Sequence, residues 1–311
     1  MANPDHRGSS AVNGEAADLV TYESLDGGRI VRIWLNRPEA HNAQSRTLLV
    51  QLDEAFSRAE ADDEVRVVIL AARGKNFSAG HDLGSEGAIL ERRPGPDQHP
   101  TFRSHGGTRS SVVEKTYLQE WHYYFENTCR WRDLRKITIA QVQGNAISAG
   151  LMLVWACDLI VAADNAKFSD VVGVRLGMPG VEYYAHPWEF GPRKAKELLL
   201  TGDSLDADEA YRLGMVSKVF PLEELADKTL EFARRIATRP TVAALLIKDS
   251  VNAAADAMGF TEALRHGFHI HQLGHAHWAA HNDNKFPVGL PPDVEDWRTA
   301  KPTQVARRDI P

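Results

Sequence analysis

An α/β fold built on a largely parallel sheet is what this sequence predicts, and three observations carry the prediction. Short β-branched apolar runs alternate with longer segments of helical spacing, which favours parallel strands joined by crossover helices. Several of those runs are apolar at every position, as strands buried on both faces are. Glycine-punctuated turns follow two of the strands.

Taken in order, residues 1–18 are small and polar with no apolar core, so they read as a flexible amino-terminal extension rather than a secretory signal. Leu19 to Ser24 and Ile30 to Leu35 form two strands, joined by the hairpin signal Asp26-Gly27-Gly28. Ser45 caps an amphipathic helix over 45–61, whose apolar set is Leu48, Leu52, Ala55, Phe56 and Ala59. Val65 to Ala71, Ile137 to Val142 and Leu159 to Ala163 follow as buried strands. Residues 84–109, rich in Gly, Pro, Arg and His, read as a long mobile insertion, and helical spacing returns over 112–131. The remainder is helical: 193–201, 206–213, 222–238, 241–257 and 261–281, with a short strand at 216–220. The Pro-rich last thirty residues fit a tail that wraps a surface or a neighbouring subunit. The expected layout is therefore an extension (1–18), a core (19–220) and a carboxy-terminal helical region with its tail (221–311).

Composition narrows the function. The 311 residues are 43% hydrophobic and 25% charged, ordinary for a globular protein. With 36 Lys and Arg against 42 Asp and Glu, the net charge is −6, so nucleic acid is not an expected partner. No apolar run is long enough to span a membrane. Cys129 and Cys157 are too few for a disulfide framework and read as reduced thiols, which points to the cytoplasm. Neither a dinucleotide fingerprint nor a P-loop is present.

Chemistry is concentrated in two stretches, Gly74 to Leu83 and Val142 to Gly150, each following a strand. Small residues there admit a ligand close to the backbone, and two amides aimed at one point would make an oxyanion hole. Close packing alone would explain the same residues equally well.

Five segments in register resemble the enoyl-CoA hydratase/isomerase (crotonase) superfamily: Leu35 to Ala43, Phe77 to Leu83, Val142 to Asp158, Ala166-Lys167-Phe168 with Pro179-Gly180, and Leu200 to Val216. The likeness covers roughly residues 19 to 260. It implies a spiral of ββα units closed by carboxy-terminal helices, assembly into homotrimers or hexamers, and an acyl-CoA thioester as substrate. Coenzyme A enters only as part of that substrate, and neither a separate cofactor nor a metal is expected. The backbone N–H groups of His81 and Ala149 would form the oxyanion hole. Ala40, His41 and Lys75 fall where the family contacts the adenine nucleotide; Ala79, Asp82 and Leu83 complete the carried-over CoA contacts.

The sequence departs from the family at both usual catalytic glutamates. Those positions hold Met152 and Val172, neither of which can move a proton, so isomerisation or an atypical reaction competes with hydration. Glu182 is the leading replacement, Asp170 the second, with Tyr183 and Tyr184 beside Glu182 as groups that could orient a substrate. Six histidines lie at 266, 269, 271, 275, 277 and 281; the pairs His271/His275 and His277/His281 are at i and i+4, a spacing that can bind a divalent metal on one helix face, but with no carboxylate in the H-E-x-x-H arrangement they read as a polar packing or subunit-contact surface. Two alternatives remain: a non-catalytic acyl-CoA binder, and a serine hydrolase using Ser148 with Asp158, Asp170 and His186.

Overall fold

The computed structural model describes residues 18–85 and 112–283. The amino-terminal extension, all but the first two residues of the 84–109 insertion, and the tail beyond 283 lie outside the described residues.

Among the described residues, nine strands form two sheets. The larger contains β1 (Val20–Leu25), β2 (Ile30–Leu35), β3 (Val67–Ala72), β4 (Ile137–Val142), β6 (Leu159–Ala163) and β9 (Lys218–Phe220), in the order β1-β2-β3-β4-β6-β9. Only the β1–β2 hairpin is antiparallel within it. The smaller sheet, β5 (Asn145–Ile147), β7 (Lys167–Ser169) and β8 (Leu205–Asp206), was not anticipated, because two or three residues are too short to show a strand period.

Alternation along the central strands explains their apolar runs. Val31, Ile33, Leu35, Val68, Leu70 and Ala72 join the main core on one face of the large sheet. Their neighbours Ile30, Trp34, Val67, Ile69 and Ala71 pack in a second core with Leu225, Ala233 and Ala237. Side chains two apart share a face, so both faces need apolar cover. Helix α1 (Arg46–Ala61), capped by Ser45 Oγ accepting from Leu48 N–H at 3.2 Å, supplies part of the first. Helix α9 (Leu225–Ala237) covers the second.

Two full ββα turns follow. β4, β5 and α4 (Ala149–Trp155) make one; β6, β7 and α5 (Val172–Leu176) make the next. Each turn donates one strand to each sheet, and the spiral implied by the family likeness is realised in this way. Short helices α6 (His186–Phe190), α7 (Pro192–Thr201) and α8 (Ala207–Leu213) lead to β9, and α10 (Thr241–Ala257) and α11 (Phe260–His281) close the described chain.

Between β3 and β4, α2 (Val112–Gln119) and α3 (Asn127–Arg132) are one helical rod interrupted at Glu120–Glu126 by wider π-type turns. This rod meets α11 through aromatic packing. Phe268 is fully buried, with its ring 5.1–5.5 Å from those of Phe125, Trp121 and Tyr117. Replacing Phe268 by Ala removes that anchor. The expected cost is about 3–5 kcal/mol of stability, read from the shift in a chemical denaturation curve.

Candidate active site

The site begins with two chain segments drawn together beyond their strands. Ser78 N–H donates to Asn145 O at 3.1 Å, and Ile147 N–H returns a bond to Ser78 O at 2.9 Å. The approach leaves no room for side chains. A Cβ on Gly80 (φ +89°) would stand 2.8 Å from Ile147 O, and one on Gly150 would stand 2.7 Å from Ser78 O. Both positions therefore require glycine.

Ser148 carries the strain of this junction, with φ +48° and ψ −115°. Its N–H bonds Ser169 O at 2.8 Å and its Oγ accepts from Val171 N–H at 3.3 Å, so neighbouring backbone holds a conformation that costs of order 1–3 kcal/mol. Helix α4 then starts at Ala149. Among the described residues, neither the Ala149 nor the His81 N–H has an acceptor in the protein. Both residues line one cavity of about 470 Å³.

The same cavity is lined by Glu182, Glu120, His271 and His275. His81 Nε2 lies 3.2 Å from Glu182 Oε2, and its ring stacks on Tyr124 with centroids 3.6 Å apart. His271 Nε2 stands 3.6 Å from the other Glu182 oxygen, 3.0 Å from His275 Nε2 and 3.5 Å from Glu120 Oε2. His275 Nε2 is 3.1 Å from Glu120 Oε1. Burial alone disfavours charge on these groups. For Glu120 the charges and hydrogen bonds of His275 and His271 outweigh burial and hold its carboxyl well below the usual range. For His271, burial lowers the pKa, but the Glu182 charge and the Glu120 hydrogen bond push it up to about 9.

Of the residues singled out from sequence, His81, Ala149, Glu182, Ala79 and Leu83 meet in this cavity. Ala40 and His41 lie on an adjoining rim with Lys75: Ala79 N–H bonds His41 O at 2.9 Å, and Asn76 Nδ2 donates to His41 Nδ1 at 3.0 Å. Lys75 is exposed there. Asp82 points elsewhere, toward Arg37 at 2.6 Å and the Ser85 turn. Burial raises its pKa, yet the hydrogen bonds from Ser85 and Arg37 prevail and bring it down to about 2.

Other expectations are corrected. Asp170 is fully buried outside the cavity wall; its oxygens accept from Val172 N–H, Val181 N–H and His186 Nε2, each at 2.9 Å. It clamps the 170–181 loop. Tyr183 is completely buried among Phe260 and other core groups, and Tyr184 packs its Cβ against the α11 backbone at Gly267, so neither lines the cavity. The hydrolase arrangement does not assemble: His186 is spent on Asp170, and Asp158 on Thr138 and Lys248. The histidine cluster divides. His266, His269, His277 and His281 are exposed, whereas His271 and His275 are buried.

Glu120 escaped the sequence reading, and the pair His271 and His275, expected on a packing or subunit-contact surface, lines the cavity instead. A signal existed for the histidines. They fall on the stripe of Phe260, Leu264, Phe268 and Ala279, the buried face of α11. Glu120 had none, since its partners come from the far end of the chain. Met152 is buried in α4, while Val172 offers the cavity only hydrocarbon.

The family model for enoyl-CoA hydratase/isomerase matches residues 26–103 and 97–285. The chain belongs to this family. EchA13 of Mycobacterium tuberculosis, which is named as an enoyl-CoA hydratase, is 62% identical over 295 residues, 94% of this chain and 92% of its own. A 4-chlorobenzoyl coenzyme A dehalogenase of Arthrobacter is 32% identical over 234 residues, 75% of this chain and 77% of its own. A Mycobacterium smegmatis crystal structure titled as an enoyl-CoA hydratase superposes with a TM-score of 0.75 at 44% identity, covering 87% of this chain and 99% of that one. Met152 and Val172 of this enoyl-CoA hydratase/isomerase chain are apolar, and among the described residues the carboxylates lining the cavity are Glu120 and Glu182.

The Asp82 pair yields a pH prediction. A depressed folded-state pKa contributes stability that is present above the unfolded value of about 3.9 and is lost as pH falls toward 2. Arg37→Ala should raise the Asp82 pKa toward the ordinary carboxylate range, and acid titration followed by circular dichroism should show a smaller pH dependence of stability between pH about 4 and 2.

Proposed function

We propose that the cavity holds the acyl part of an acyl-CoA thioester and that the reaction is a proton shuttle of the isomerase type. The observation that carries this reading is that the wall-lining carboxylate Glu182 shares the cavity with two amides that have no protein acceptor among the described residues. The thioester oxygen would accept from His81 N–H and Ala149 N–H, an arrangement that favours charge developing on that oxygen. Glu182 would take a proton from the carbon skeleton, leaving an enolate, and return it at another carbon as the double bond moves. Protons balance with one carboxylate, and no redox partner enters. Addition of water normally asks for a second acid–base group; Met152 and Val172 cannot supply it, and Glu120, the other carboxylate lining the cavity, is paired with His271 and His275, which hold it ionised.

His81 has a second task in this reading. Its ring, stacked on Tyr124 and 3.2 Å from Glu182, orients the carboxylate while its own amide serves the oxyanion. The exposed Lys75, with the Ala40–His41 turn beside it, would meet the anionic nucleotide end of CoA, where a cation is useful in a chain of net charge −6. Coenzyme A would arrive as part of the substrate, and proton transfer by Glu182 needs no separate cofactor.

We further propose a cytoplasmic homotrimer or pair of trimers. Helix α10 exposes Val242, Leu246, Ile247 and Val251, each between 59% and 68% accessible, and such a stripe on a monomer favours subunit contact.

Glu182→Gln should lower turnover by about 10²- to 10⁴-fold and leave acyl-CoA binding within a few-fold, checked by solvent deuterium incorporation and calorimetry. A panel of straight, branched and ring-bearing enoyl-CoAs tests the reaction type. Tight binding with neither hydration nor double-bond migration across that panel would establish a binder in place of an enzyme. Light scattering should give a mass three or six times that of the chain, and Leu246→Glu should reduce it to a single chain.

A further inference from the structure

We infer that Glu120, His271 and His275 form a binding site for one divalent transition-metal ion of the zinc class, set in the wall of the acyl cavity. The donor atoms converge. Their separations are 3.0 Å between the two Nε2 atoms, 3.1 Å from His275 Nε2 to Glu120 Oε1, and 3.5 Å from His271 Nε2 to Glu120 Oε2. Ligands 2.0–2.1 Å from a tetrahedral ion lie about 3.3 Å from one another. The two imidazole nitrogens therefore have the spacing of neighbouring ligands on such an ion, each has one Glu120 oxygen at a comparable distance, and one donor atom from each of the three residues can be chosen with all three within 4.8 Å of one another.

Hydrogen bonding alone serves this cluster poorly. His271 Nε2 faces three atoms within 3.6 Å: His275 Nε2, Glu120 Oε2 and Glu182 Oε1. A single proton on that nitrogen can bridge to one of them, whereas a cation among them meets the lone pairs of all the donors at once. The outer contacts are those of a metal site as well. His271 Nδ1 lies 2.6 Å from Gly180 O and must donate to it, which directs Nε2 at the cluster. Gln272 Nε2 donates to Glu120 Oε2 at 2.6 Å and fixes the carboxylate.

The protein commits several features to this geometry. Glu120 sits at the start of the π-type turns, and such turns recur at functional sites. The two histidines are one helical turn apart on the buried face of α11. All three side chains are at most 6% exposed, and their residues line the cavity. Three protein ligands leave a fourth position, which a water or an oxygen of the acyl group can occupy. Glu182, 3.6 Å from His271 Nε2, borders that position.

This inference goes beyond the proton-shuttle reading and is tested without turnover, so either can fail alone. The full-length protein is stripped with chelator, incubated with Zn²⁺ or with Co²⁺ as a spectroscopic probe, and freed of excess ion. Expected are one equivalent per chain by elemental analysis and visible ligand-field bands of low-coordinate Co²⁺. Glu120→Gln and His275→Ala should each weaken binding at least tenfold, with folding checked by circular dichroism. The exposed pair His277 and His281, replaced together by Ala, should leave binding unchanged. Failure of the native chain to retain either ion would overturn the site. So would retention by the folded Glu120→Gln and His275→Ala variants, or loss of binding in the His277/His281 variant.

Discussion

The close approach of the 78–80 and 145–150 segments is the constraint from which the site follows. Two backbone hydrogen bonds through Ser78 hold the segments together, and Gly80 and Gly150 are the residues that let them touch. Because a turn of the spiral delivers each segment, the large sheet fixes their spacing before any side chain takes part. Ser148 pays locally for this arrangement in backbone strain and is held by Ser169 and Val171 of the following turn. Three successive turns thus cooperate to present two amides.

Facing those amides is polar machinery of separate origin. Glu182 follows the 170–181 loop that Asp170 pins from within, while Glu120 and the histidine pair come from helices that pack on the spiral through Phe268 and its aromatic neighbours. Burying two carboxylates against two imidazoles costs desolvation that only mutual pairing offsets. The pKa directions express that balance: Glu120 stays ionised and His271 is drawn toward its charged form. Removing one member would leave its partners buried without compensation, so this polar group acts as a unit.

Much of the fold was legible because the central strands are buried on both faces and read as unbroken apolar runs. The helix at 241–257 was legible residue for residue, and the Ser45 cap was anticipated and observed. The small sheet was not, since its strands are shorter than the period that reveals a strand. The lining of the cavity was half legible. His81, Ala149 and Glu182 follow from segments with local signatures. Asp170 misled because two residues' separation from Val172 says nothing of direction; hydrogen bonds to Val172 and Val181 turn the carboxylate inward. Arg37 likewise draws the Asp82 carboxylate away from the cavity. Glu120 is meaningful only beside residues some 150 positions later, a relation that tertiary folding alone creates.

The position of α11 at the end of the described chain has a consequence for how the protein comes into being. The spiral, with the His81 and Ala149 amides, is complete in sequence by Phe220, but the histidines that pair with Glu120 arrive only with residues 271 and 275. During synthesis, Glu120 must therefore remain hydrated until α11 emerges, and the cavity stays open on that side. Docking of α11 dries the wall, charges the network and finishes the pocket in one event. Truncation before α11 would leave a chain with the spiral framework and an incomplete cavity wall.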